Sequence, residues 1–221
     1  MMKAGLLWIL QSNDTGYPSG GYAHSYGLEE LVRVGVVKDA AGLEKFLMRQ
    51  LVPALLRFEL PFFAKAHGAA KAGDLLALQA MDAELDAWRI PAELRDAGRR
   101  VGSQRLGLLC ELDGGEIVAG FRKLCPRAHH LVVTALELRG VSVEDAGRSF
   151  AYQAVVAGTA ASMKLMRIGQ TACQGILSRV LSELEGRADA ALAGHETGVF
   201  NPLLEIASLK HAFSNERLFI S

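Results

Sequence analysis

The chain has little of what would commit it to a charged partner or a covalently stapled scaffold. Its 24 lysines and arginines are balanced by 24 aspartates and glutamates in 221 residues. A neutral total creates no broad field to draw it to nucleic acid or to an anionic membrane, so partners must be chosen by shape. There are only three cysteines, Cys110, Cys125 and Cys173, an odd number without paired spacing. That usage fits a reducing compartment better than a disulfide framework. No uncharged run approaches the roughly 18 residues a bilayer span needs, and the apolar segment ahead of Asp14 is too short for an export signal. The expected location is the cytoplasm.

Catalytic signatures are also missing. There is no GxxxxGK[ST], so the glycines between Gly16 and Gly27 lack the lysine and hydroxyl of a phosphate-binding loop. No HExxH, CxxC or GxSxG occurs, which leaves metalloprotease, structural-zinc and hydrolase readings without a motif. Glu29-Glu30 and Glu144-Asp145 are adjacent pairs, which diverge around a helix and do not converge on one substrate atom. The expectation is a protein that is not an enzyme and has no cofactor. The nearest approach to a metal cluster is Cys125, His129 and His130, thiolate and imidazole soft enough for nickel, copper or zinc. A stable site wants three or four ligands, and only the separated Cys110 could add one. His24, His67, His195 and His211 are scattered singletons.

What is present is apolar residue, 50% of the chain, with 22% charged. That supplies a sizeable core for one large domain or two small ones and argues against disorder. Helical periodicity runs throughout. Leu28, Leu31 and Val32 precede Gly35; Leu43, Phe46, Leu47, Leu51 and Leu55 form a stripe behind a cap at Asp39. Pro53 and Pro61 are expected to mark a kink and a break. Asp74 opens a helix carrying Leu75, Leu78, Met81, Leu85 and Trp88, and Pro91 precedes another whose Arg95, Arg99, Arg100 and Arg105 share a side. That row is either a solvated face or a docking face for acidic groups. Ser142-Val-Glu-Asp145 reads as a cap for a long helix over about 143–166, kept slender by Ala157, Gly158, Ala160 and Ala161 so that another backbone can approach. No strand-period segment of useful length appears. The expected fold is all-α: residues 1–221 as a single compact bundle of about nine or ten helices, with a flexible C-terminal tail from about 214.

The densest stretch is Tyr17-Pro-Ser-Gly-Gly-Tyr-Ala-His-Ser-Tyr-Gly-Leu-Glu29. Its glycines permit positive φ and close approach, Pro18 stiffens it, and Tyr17, Tyr22, His24 and Tyr26 crowd amphipathic rings into a short loop. Such rings either build a recognition surface or cap a core with their polar tips satisfied locally.

Four segments, in order, resemble the UreF family of urease accessory proteins: LLWILQSNDTGYPSGGYAHSYGLEELVRVGVV, PAELRDAGRRVGSQRLGLL, MKLMRIGQTACQGILSRV and FNPLLEIASLKHAFSNERLFIS. The first and last carry the specific signal, His-Ser-x-Gly-Leu-Glu and an arginine-bearing tail. The resemblance implies an all-α scaffold that dimerises, binds UreD/UreH, recruits the GTPase UreG and so delivers nickel to apo-urease. By matching position it implies Tyr22 beside an internal nickel path, the loop 17–28 with Tyr17, His24, Ser25 and Tyr26 near the partner-facing surface, and Arg217 ordering the tail once UreD/UreH binds. Lys164 is a further surface candidate. The residues agree in part. Leu218, Phe219 and Ile220 follow the last helix with no helix left to pack on, and burying them on a partner contributes about 4–8 kcal/mol before ordering costs. The alternatives are a metallochaperone holding nickel through Cys125, His129 and His130, and a small-molecule enzyme built on the Tyr/His crowd at 17–26.

Overall fold

The computed structural model describes residues 4–18, 25–113, 115–194, 198, 201–211 and 218–219. The chain is 79% helical, with ten helices and no strand among the described residues. The short helices α1 (Leu6–Asn13) and α2 (Leu28–Arg33) lead into a rod, α3, over residues 40–72. Then follow α4 (Leu75–Trp88), α5 (Ala92–Asp113), α6 (Glu116–Leu124), α7 (His130–Glu137), α8 (Val143–Leu165), α9 (Gln170–Leu192) and α10 (Pro202–His211).

The helix starts follow local chemistry. Asp39 Oδ1 accepts from Gly42 N–H at 2.8 Å, Asp74 Oδ1 from Ala77 N–H at 2.9 Å, and Ser142 Oγ from Asp145 N–H at 3.2 Å. Each satisfies an N-terminal amide that the helix leaves without a partner. The rod α3 ends where Gly73 takes φ +73°, the left-handed position glycine occupies without Cβ strain.

The prolines behave differently from expectation. Neither Pro53 nor Pro61 breaks the rod. Its α-helical pieces Ala40–Phe46, Val52–Ala54 and Leu60–Ala72 are joined by two π-helical turns, Leu47–Leu51 and Leu55–Glu59. A proline within an α-helix lacks one donor and crowds the carbonyl a turn behind it; a wider π turn just before each proline relieves that crowding. The wider turns also advance the side chains, and Leu51, Leu55, Phe58 and Glu59 all reach the same interior space.

Helix α7 is the axis of the core. Every residue from Leu131 to Glu137 is buried, and α7 packs on α3 and α5. The contact with α5 is close because Gly102 has no side chain: a Cβ there would lie 2.0 Å from the Ala128 carbonyl oxygen. Helices α8 and α9 form the most extensive pair, with Gly147 giving way to Leu192. The slender face of α8 is largely used inside the chain, since Gly158 faces Leu47 of the rod and Ala157 and Ala161 are buried. No helix among the described residues is long and apolar enough to cross a membrane.

Candidate functional site

The described part of the N-terminal motif does two jobs at two places. At its start, Tyr17 is buried against the C-terminal end of α7. Its hydroxyl donates to Glu137, whose other carboxylate oxygen accepts from Arg105 of α5. Arg105 is 0% exposed, with its guanidinium 5.3 Å from the centre of the Tyr17 ring and Nη1 donating to Gln153 at 3.2 Å. Gln153 Nε2 donates to the Ser12 carbonyl at 3.0 Å, and Trp8 Nε1 donates to the Glu137 carbonyl at 3.1 Å. A buried carboxylate costs several kcal/mol unless paired and hydrogen-bonded, and here both oxygens are engaged. Burial first, then the Glu137 charge, holds the Tyr17 phenol well above its ordinary 10. Tyr17 is therefore a neutral donor that ties the N-terminal segment to α5, α7 and α8.

At the motif's end, Ser25 is buried and its hydroxyl accepts from Glu29 N–H at 3.4 Å. Tyr26 has φ 52°, an uncommon conformation for a side-chain-bearing residue, and Gly27 follows at φ +77°. These two left-handed residues bring the start of α2 onto α10, where a Cβ on Gly27 would sit 3.3 Å from Ala207 Cβ. The Tyr26 ring turns into a cavity of about 130 Å³. Its walls combine rod residues from both π turns with Trp88, Phe150 and Leu204, and its polar groups include Glu59, Arg89, His129, His130 and Ser208. Glu59 pairs with Arg89. Burial, then the Glu59 charge, pushes the Tyr26 phenol up to about 12.

Glu29 is the residue that sequence reasoning passes over. It is 7% exposed, and its carboxylate accepts the Leu218 and Phe219 backbone N–H groups at 2.8 and 3.1 Å. The His211 ring bridges it to Glu93 of α5, at 2.8 Å on each side. Weighing Glu29-Glu30 as an adjacent pair asks only whether they converge on a substrate; Glu29 instead meets the far end of its own chain, while Glu30 holds Arg33 at 2.7 Å. The signal is there to be used, since Glu29 closes His-Ser-x-Gly-Leu-Glu and the tail is the other specific segment.

The candidate residues therefore divide. Lys164 and Phe219 come together, with the ammonium 5.5 Å from the ring centre. Phe219 is only 5% exposed, which corrects the expectation that the tail's apolar residues find nothing to pack on; Leu218 remains 70% exposed. Tyr17 and Ser25 are buried and offer no open surface to a partner. Tyr22, His24 and Arg217 lie outside the described residues.

Three members of the arginine row are engaged within the chain, while Arg100 is exposed. Arg105 is buried on Glu137, Arg99 pairs with Asp86 at 2.8 Å, and Arg95 donates to the carbonyls of Arg89 and Ile90. The metallochaperone alternative fails on geometry. His129 N–H donates to Asp82 at 2.7 Å and its Nε2 faces Asp86 at 2.9 Å, while His130 lies against Phe150 with ring centres 5.8 Å apart. Burial pushes the Cys125 thiol up, away from the thiolate a metal needs. Among the described residues no three histidine, cysteine or acidic groups are grouped to hold a metal ion.

Comparison with known proteins supplies the family. The UreF family model matches residues 37–181. The urease accessory protein UreF of Escherichia coli is 33% identical over 97% of both chains. Its counterpart from Klebsiella pneumoniae is 31% identical over 97% of both, and that from Chromohalobacter salexigens 33% identical over 98% of this chain and 94% of its own. A family match over more than half the sequence, with relatives aligned from end to end, shows that this chain belongs to the UreF family of urease accessory proteins.

Proposed function

We propose that the protein is a non-enzymatic scaffold of urease maturation: it binds UreD/UreH, recruits the GTPase UreG, and so directs nickel into apo-urease. Family membership carries the reading. The distribution of exposed apolar side chains supports it. Leu6, Leu7 and Leu10 stand out from α1, Leu203, Ile206 and Leu209 from α10, and Leu218 from the tail. Apolar groups clustered on a surface mark contact sites more often than isolated ones do. The scaffold acts in the cytoplasm as a homodimer, takes no cofactor of its own, and contacts neither nucleic acid nor membrane.

The test is retention on immobilised UreD/UreH. Wild type is retained; Arg217→Ala and Leu218→Asp weaken binding about tenfold or more, equivalent to roughly 1.4 kcal/mol. Equal behaviour of all three, or no retention of wild type, contradicts the role given to the tail.

A further inference from the structure

We infer that Glu29 is the positioning residue for the C-terminal tail: it grips the tail backbone so that Phe219 is seated within the chain and Leu218 is turned outward. The inference rests on the scaffold reading only for what the tail then docks to. Three observations meet at this one carboxylate. It takes two consecutive backbone N–H groups, from Leu218 and Phe219. It is buried, so those charge-assisted bonds face little competition from water. It is also held in place, because His211 bridges it to Glu93 on α5 and Ser25 Oγ accepts the N–H of Glu29 itself.

The ring contacts make the same point from the other side. Phe219 is nearly inaccessible, with the Lys164 ammonium of α8 over its face. Fixing two successive amides on one carboxylate sends the two side chains in different directions, one inward and one 70% exposed. The end of the N-terminal motif thus completes a seat for residues 218 and 219, and Gly27 makes room by admitting α10 beside α2.

Hydrogen–deuterium exchange on the full-length isolated chain tests this directly. Wild type should protect the amides of residues 218 and 219 about tenfold or more over an unstructured peptide. Glu29→Gln should bring them to within about twofold of the unstructured rate while amides of the rod α3 keep their protection. Phe219→Ala, which leaves α2 and its neighbours intact, should release the same two amides. Unprotected tail amides in wild type overturn the inference, as does protection that survives both substitutions. If Glu29→Gln instead lowers protection throughout the chain, the decision passes to Phe219→Ala and wild type. Retention on UreD/UreH is read in parallel. A tail released by Glu29→Gln with retention unchanged leaves the positioning role standing and removes the docking role from the tail.

Discussion

Glu137 shows how a single residue fixes the geometry around it. Its carboxylate sits in the core between Tyr17 and Arg105; removing Arg105 leaves its charge without compensation, while removing the Tyr17 hydroxyl leaves one oxygen without its donor. Arg105→Met should lower unfolding stability by about 3–5 kcal/mol, because it strands a buried anion. Tyr17→Phe removes one donor and should lower it by about 1–2 kcal/mol. Urea titrations of both variants check the ranking, and equal losses would contradict it. His67 supplies a pH dependence. Burial pushes its imidazole below the ordinary 6.5, and Nε2 donates to the Leu138 carbonyl at 3.1 Å. The unfolded chain takes up a proton near 6.5 while the folded chain resists until lower pH. The stability held by neutral His67 is therefore complete above that value and fades as pH falls toward the folded value. The urea midpoint should drop between pH 7 and about 5.5, and His67→Gln should flatten the drop. None of this is legible in the sequence, where His67 is one scattered histidine and Arg105 one member of a row. Which acid meets which base depends on helices far apart in the chain.

Among the helices, caps and periodicity translate well and close contacts do not. Asp39, Asp74 and Ser142 cap as local sequence predicts, and α8 spans Val143–Leu165 against an expected 143–166. The two prolines of α3 mislead because the rule that proline stops a helix assumes an α-helical turn before it. A π turn before each keeps the rod whole and turns Glu59 toward Tyr26 and Arg89. Helix α5 offers a paired test of close approach. Gly102→Ala places a methyl against the Ala128 carbonyl and should cost at least about 2 kcal/mol. That is a fall in Tm of roughly 4–8 °C for a domain of this size. Gly107, on the same helix, has nothing within 4 Å of where an added methyl would stand, so Gly107→Ala should raise stability by about 0.5–1 kcal/mol. Thermal unfolding of the two variants should shift in opposite directions; two shifts of the same sign would contradict the helix contact.

For the molecule as a whole, the all-α bundle is legible because periodicity and caps repeat along the chain. The candidate site is legible only as two segments at opposite ends. Their meeting at Glu29, through Gly27 against α10 and the tail amides on the carboxylate, requires the fold. A scaffold of this kind should be dimeric, so light scattering on a size-exclusion column should give about twice the mass of 23.8 kDa at micromolar concentration. A monomer at that concentration would contradict homodimer formation. Recruitment is measured most directly by the composition of complexes formed from purified UreD/UreH, UreG and this chain on such a column. The account predicts that UreG elutes with UreD/UreH only when this chain is present. UreG joining UreD/UreH without it, or remaining separate when all three are mixed, would contradict the account.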